Sequence, residues 1–382
     1  MTVRVSVPST LLAWASKRSG IAADTLLTKF PDLDAWEQGS KLPTLKQLER
    51  FATATHTPLG YLFLAEPPQE SLPLPDFRTI GDIEVGHASP DLLETVYLCQ
   101  QRQEWYRDFA RLHRESPVAL VGSLGTDTDI VEAARRMRSV LAFEPGERGT
   151  SWSEAFRRLL QEADAQGILV MVSGVVGSNT HRKLDPEEFR GFALSDDLSP
   201  LIFVNGADTK AAQIFTLAHE LAHLWLGQSA VSDPDMATTS TNDVERWCNQ
   251  VAAEFLVPVE GLRGLVVDPE GLTEDLDRLA REYKVSTLVV LRRIFDAGYL
   301  SPAQFRTAYT QERARVLSLM DGGGAGGGNF YNTQPVRVSK RFARALIEST
   351  LEGQTLHRDA FQKLGFKKHA TFEELAHRLG VG

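Results

Sequence analysis

One apolar segment that contains two histidines constrains the fold of this chain more than any other feature. Residues 214–227 read IFTLAHELAHLWLG, and His219 and His223 are four residues apart. Residues with that spacing lie on the same face of an α-helix, so both imidazoles can bind one metal ion. The apolar neighbours predict a buried helix, and Gly227 is typical of the residue that follows a helix. The core is therefore expected to form around this segment.

The residue between the two histidines suggests hydrolytic chemistry. Glu220 follows His219 directly, so that the segment contains the pattern His-Glu-x-x-His. A carboxylate in this position can accept a proton from water beside the metal, and the pattern therefore predicts Glu220 as a general base. The structural alternative is a pair of core histidines with a salt-bridged glutamate. That alternative is less favoured because a second segment supplies a third ligand.

A hydrolytic zinc site needs three protein ligands and one open position. Residues 243–258, DVERWCNQVAAEFLVP, are predicted to form a helix with two acidic candidates, Glu245 and Glu254. Asn249 lies one turn after Glu245 and could orient it through a hydrogen bond, which favours Glu245 as the ligand. The alternative is that Glu254 is the ligand. If Glu245 is the ligand, Glu254 is expected to be a solvent-facing or charge-paired residue. Cys248 is interpreted as a small buried side chain rather than a thiolate ligand.

Two stretches that disfavour helix divide the chain into parts. The segment EPPQESLPLPDF contains four prolines, and DGGGAGGGN contains six glycines. Dense proline favours an extended connector, and dense glycine favours a flexible linker. The predicted parts are a helical module at 1–66, a connector at 67–80, a catalytic domain at 81–320, a linker at 321–330 and a basic helical domain at 331–382.

The N-terminal part resembles the XRE type of helix-turn-helix domain. The residues that carry this resemblance are Trp36, Glu37, Gly39, Pro43, Thr44, Leu48, Phe51, Ala52 and the segment 58–62. The expected recognition helix is shortened, because only fifteen residues with Pro31 among them separate Gly20 from Trp36. A degenerate module that is kept for packing or protein contact is favoured over one that reads DNA.

The central part resembles the ImmA/IrrE family of zincin-type metallo-endopeptidases. The residues that carry the resemblance are Val204 and Asn205 at a strand end, the segment 215–220, and then Glu245, Asn249, Ala252, Leu256 and Pro258. The resemblance implies that Zn²⁺ is held by His219, His223 and Glu245. It also implies peptide hydrolysis, which agrees with the spacing of the histidines and Glu220.

The predicted fold class is α+β and mostly helical. It comprises a zincin-like core with a small sheet, between a helical XRE-like module and a helical C-terminal domain. The segment 191–205, GFALSDDLSPLIFVN, is predicted to be an edge strand beside the metal-binding helix. A substrate chain could add to such an edge through backbone hydrogen bonds, with Leu201, Phe203 and Asn205 as the substrate-binding positions.

Composition excludes several classes of protein. The formal net charge of the 382 residues is −9, although the tail at 331–382 carries +4, so a basic protein that coats nucleic acid is excluded. Two cysteines exclude a disulfide scaffold and favour a cytoplasmic location. No window has about 18 uninterrupted apolar residues, so no membrane-spanning segment is expected.

The favoured function is a zinc-dependent endopeptidase that regulates a repressor-like protein by cleaving it. The alternative is an antitoxin or regulatory partner of a PIN-type ribonuclease toxin, with a dormant or structural metal site. The third hypothesis is an XRE-type DNA-binding transcriptional regulator. DNA binding is less favoured because residues 1–66 carry a net charge of only +1.

Overall fold

A computed structural model describes residues 3–76, 79–80, 83–84, 88–232, 242–264, 271–320 and 336–381. The predicted linker at 321–330 lies outside the described residues. The chain divides into two compact units, one formed by Met1–Pro73 with Val85–Val96 and the other by Leu74–Glu84 with Tyr97–Gly382. The five-part domain organisation stays a prediction.

The first unit is built mainly from short helices around an apolar core. Thr44 begins α4 with a capping box, in which its hydroxyl accepts from the Gln47 N–H and the Gln47 side chain accepts from the Thr44 N–H. Phe51 and Trp36 pack edge to face in the core. The helices are α1 Ser9–Arg18, α2 Ala23–Lys29, α3 Leu33–Glu37 and α4 Leu45–Ala54, followed by a 3₁₀ turn at Leu59–Phe63. The likeness of this unit to an XRE domain stays a prediction.

The rest of the described chain combines helices with short strands. The helices are α5 Pro90–Leu112, α6 Ile130–Val140, α7 Trp152–Ala165, α8 Lys210–Trp225, α9 Asp243–Leu256, α10 Leu272–Tyr283, α11 Thr287–Asp296, α12 Pro302–Met320, α13 Lys340–Leu351, α14 His357–Leu364 and α15 His369–Leu379. The strands are β1 Thr79–Ile80, β2 Ile83–Glu84, β3 Leu169–Ser173, β4 Gly191–Leu194, β5 Leu201–Asn205 and β6 Ala230–Ser232. None of the helices in the described ranges has the length and apolar character needed to cross a membrane. The predicted α+β, mostly helical fold class is confirmed.

The four-stranded sheet has the order β3-β5-β4-β6, which places β4 and β5 in its interior. β3 pairs with β5 in parallel, whereas β4 is antiparallel to both β5 and β6. The prediction that residues 191–205 form an edge strand is therefore wrong. The backbone groups of β5 are already paired on both sides, so Leu201, Phe203 and Asn205 cannot accept an added strand.

Helix α8 packs against this sheet and is apolar around most of its circumference. Thr209 caps the helix, because its hydroxyl accepts a hydrogen bond from the Ala212 N–H at 3.2 Å. Every residue from Gln213 to Trp225 is buried. A helix that is buried on all sides must be covered by several elements, and α7, α9, β4 and β5 all contact α8. The two histidines consequently lie inside the domain.

Three buried arginines hold the C-terminal end of α9, which carries Glu245 near its start. Arg138, Arg148 and Arg293 each donate to backbone carbonyls in this region. The Arg148 guanidinium donates to the Leu256 carbonyl at 2.6 Å and to the Phe255 carbonyl at 3.1 Å. Carbonyl groups at the end of a helix lack partners within the helix, so these arginines satisfy groups that would otherwise be buried and unpaired.

Candidate metal and catalytic site

The structure brings together two imidazoles and one carboxylate from neighbouring helices. The Nε2 atoms of His219 and His223, one turn apart on α8, are 3.1 Å from each other. Glu245, in the first turn of α9, places Oε2 3.2 Å from His219 Nε2 and Oε1 2.9 Å from His223 Nε2. One possible ligand atom from each residue lies within 4.8 Å of the others. These three side chains could hold a metal ion.

The electrostatic environment gives two of these residues the protonation states that a metal requires. Burial lowers the pKa of His223 and so favours the neutral imidazole. Burial alone would raise the pKa of Glu245, but its contacts with His219 and His223 outweigh burial, and the pKa falls well below its usual range. A neutral imidazole and an ionised carboxylate are both competent ligands, and two nitrogens with one oxygen form a donor set typical of hydrolytic zinc.

Glu220 lies beside this cluster as a fully buried carboxyl group. Within the described part of the chain, neither of its oxygens forms a hydrogen bond of ordinary geometry. Burial raises its pKa well above the usual range, the charge of Glu245 raises it further, and the nearby Ser232 hydroxyl opposes the rise. A buried carboxyl group without a hydrogen-bond partner is costly for stability alone, so its position suggests a chemical role.

A glycine allows β4 to approach Glu220 closely. A Cβ atom added to Gly191 would lie 2.6 Å from Thr216 Cγ2, 2.9 Å from the Phe203 carbonyl oxygen and 3.1 Å from Glu220 Oε1. The first two distances are shorter than real contacts, and the second involves backbone that cannot move freely. Gly191 therefore sets the spacing between the sheet and the face of α8 that carries Glu220.

Ser232 is a polar residue of the site that the sequence did not indicate. It is the last residue of β6, it is fully buried, and its Oγ atom lies 3.3 Å from His223 Nε2. β6 pairs with β4 so that Ser232 stands opposite Gly191. A lone serine after the metal-binding helix has no periodicity or spacing that marks it, and only the strand pairing brings it to the site.

The two acidic candidates on α9 have different surroundings. Glu254 is buried and forms an ion pair with Arg293, and its Oε2 atom accepts from the Val259 N–H at 3.2 Å. It thus belongs to the structural network at the helix end, whereas Glu245 faces the histidines. The favoured choice of Glu245 over Glu254 agrees with this geometry, while its role as a metal ligand stays a prediction.

The other two predicted neighbours on α9 are less directly involved. Asn249 Oδ1 is buried and has no hydrogen-bond partner among the described residues. Its role beside the ligand stays a prediction. Cys248 is buried, and burial together with the charges of Glu245 and Glu220 raises the pKa of its thiol well above the usual range. A protonated thiol is a poor metal ligand, which agrees with the interpretation of Cys248 as a packing residue.

The three predicted substrate-binding residues of β5 have structural roles. Leu201 and Phe203 are buried, and the Phe203 ring stacks on Phe192 with centroids 5.0 Å apart. The Asn205 amide donates to the Phe189 carbonyl at 3.1 Å and accepts from the Ala207 N–H at 3.0 Å. Asn205 therefore closes the turn after β5, and its side chain serves the backbone of this chain.

Two known protein-family domains match parts of this chain. Residues 163–295, about a third of the chain, match the IrrE N-terminal-like domain of the M78 peptidases. The matched range contains His219, Glu220, His223 and Glu245. Residues 338–378 match a domain of unknown function, DUF8813. No curated protein matches the chain. The central part of this protein is thus similar to a metallopeptidase family.

Proposed function

We propose that this protein is a zinc-dependent endopeptidase that hydrolyses peptide bonds. The observation that carries the proposal is the convergence of His219, His223 and Glu245 on one point, with the buried carboxyl group of Glu220 beside it. The similarity of residues 163–295 to a peptidase family supports the same assignment. The assignment of zinc rests on the donor set of two imidazoles and a carboxylate.

The proposed reaction assigns a proton-transfer role to Glu220. Zinc bound by the three side chains would supply Lewis-acid polarisation and would lower the pKa of water toward about 7. Glu220, which the positive charge of a bound ion would keep ionised, removes a proton from the attacking water, whose oxygen forms a bond to the peptide carbonyl carbon. As the C–N bond breaks, Glu220 delivers that proton to the leaving nitrogen. The Ser232 hydroxyl is close enough to the cluster to donate a hydrogen bond to the carbonyl oxygen as it gains charge.

The proposed biological role is the cleavage of a repressor-like protein in the cytoplasm. The family resemblance and the two free, buried cysteines support this role and location. The alternative role, as a partner of a PIN-type toxin with a dormant metal site, would not need the carboxyl group of Glu220. Its buried carboxyl group, which lacks a hydrogen-bond partner of ordinary geometry among the described residues, favours hydrolysis over dormancy.

The experiment that tests hydrolysis uses an unfolded protein substrate in heavy-oxygen water. The zinc-loaded wild type is expected to produce new termini, and each new carboxyl group should contain one oxygen atom from the solvent. Glu220→Gln should keep its zinc and produce no new termini, since the amide cannot accept the proton. Equal cleavage by both proteins, or termini without solvent oxygen, would contradict the proposal.

A further inference from the structure

The outer edge of β6 lies next to the metal-binding cluster and already carries another segment of this chain. On one side, β6 pairs with β4. On the other side, the Val231 N–H donates to the Pro75 carbonyl at 3.0 Å, and Asp76 forms a parallel bridge with Val231. The next residue along β6 is Ser232, whose hydroxyl contacts His223. The segment Leu74–Asp76 therefore occupies the sheet edge closest to the site.

This segment is built to form only a short ladder. Pro73 and Pro75 have no backbone N–H, so neither can donate a hydrogen bond to a neighbouring strand. Both Pro75 and Asp76 are exposed, so this segment buries little surface against the sheet edge. A peptide with an N–H at every position could form a longer ladder on the same edge. The segment is consequently a weak occupant that another strand can replace.

We propose that Leu74–Asp76 is an internal competitor for the substrate-docking edge of this protein. An extended, unstructured peptide segment adds to β6 through the Val231 N–H, and it must first displace Leu74–Asp76. The peptide then lies beside Ser232 and the metal-binding residues. This inference rests on the proposed peptidase function. The competitor lowers the apparent affinity for substrate by the fraction of molecules in which the edge is covered.

The test measures peptide binding without hydrolysis, in full-length zinc-loaded protein that carries Glu220→Gln. The probe is a fluorescent peptide, ESLALADFRTI, which is the sequence of residues 70–80 with both prolines changed to alanine. Adding the double change L74G/D76G, which keeps Pro75 and makes the free segment more flexible, should release the edge and tighten binding about tenfold. The matched control, P67G/P68S, changes two earlier prolines of the same connector and should leave the affinity as it is in Glu220→Gln alone.

Hydrogen exchange gives a second readout that needs no ligand. In the L74G/D76G variant, the segment 227–232 should exchange about one more amide hydrogen than in the control, because the Val231 N–H is exposed whenever the segment detaches and takes the Pro75 carbonyl with it. Equal affinities in all three proteins, or unchanged exchange at 227–232, would contradict the proposal that Leu74–Asp76 competes with substrate for the edge of β6. Neither readout here depends on cleavage. Failure of the peptidase function would therefore appear separately, as an absence of new termini that contain solvent oxygen.

Discussion

Glu245 Oε1 lies 2.9 Å from His223 Nε2, and this contact joins the first turn of α9 to the metal-binding face of α8. The same carboxylate also reaches His219 Nε2, at 3.2 Å. The site thus depends on the packing of α8 against α9.

The first prediction separates the two glutamates of α9. Glu245→Gln should lower zinc affinity by more than about a hundredfold, since loss of a ligand should exceed the cost of losing a residue that supports one. Glu254→Gln is the matched control and should bind zinc as the wild type does. It should instead lose about 1.5–3 kcal/mol of stability, because the buried guanidinium of Arg293 loses one of its two carboxylate partners. Competition with a zinc-binding dye and urea unfolding measure the two quantities.

The opposite pattern would show that the ligand has been assigned to the wrong acid. Normal zinc affinity in Glu245→Gln, together with loss of zinc in Glu254→Gln, would have that meaning. Loss of zinc in both variants with normal unfolding would contradict the structural role of the Glu254–Arg293 pair.

The second prediction concerns the close approach of β4 to α8. Gly191→Ala should destabilise the protein by about 1–3 kcal/mol, because its methyl group would overlap Thr216 and the Phe203 carbonyl. The displaced strand should also lower the hydrolysis rate through its contact with Glu220. Gly146→Ala is the control, since no atom lies within 4 Å of the added methyl group. Equal stability of the two variants in urea would contradict the account of Gly191.

The third prediction tests the Ser232 hydroxyl. Ser232→Ala should lower kcat about tenfold while KM and zinc content stay unchanged, because one hydrogen bond to a developing charge is removed. Ser229→Ala is the control; its hydroxyl accepts from the Ser195 N–H at 2.8 Å, away from the histidines. A change confined to KM, or an equal loss in the control, would rule out a role for Ser232 in the chemical step.

The fourth prediction concerns the arginine that holds the end of α9. Arg148→Met should lower the stability of the protein by about 3 kcal/mol, since it leaves buried carbonyl groups without donors. Arg135→Met serves as the control, because Arg135 is exposed and pairs with Glu132 of the same helix. The urea midpoint should fall in the first variant and remain near the wild-type value in the second.

The histidine-bearing helix α8 could be predicted from the sequence because the relevant information is local. His219, Glu220 and His223 lie within one and a half turns of one helix, so the 3.6-residue period alone fixes their relation. Glu245 could also be predicted from the sequence, but only by weighing it against Glu254, the other acidic candidate on the second helix. The buried partner of Glu254, Arg293, is 39 residues away and could not be identified by spacing.

The strand order could not be predicted, and this explains the error at β5. The segment 201–205 is apolar and follows β4, which suits an edge strand as well as a central one. Its central position depends on β3, which comes from residues 169–173 and pairs in parallel across a connection that includes β4. The same long-range pairing brings Ser232 to the histidines. Sheet order is a property of such non-local pairing, and local patterns do not contain it.

The measurement that tests the central claim most directly is a zinc titration of metal-free protein, with binding and hydrolysis followed together. The wild type is expected to bind one zinc ion per chain, and peptide hydrolysis should rise in proportion to occupancy and reach a plateau at that ratio. Glu220→Gln should show the same binding curve without hydrolysis. Hydrolysis that is independent of zinc, or full hydrolysis by Glu220→Gln, would contradict the account.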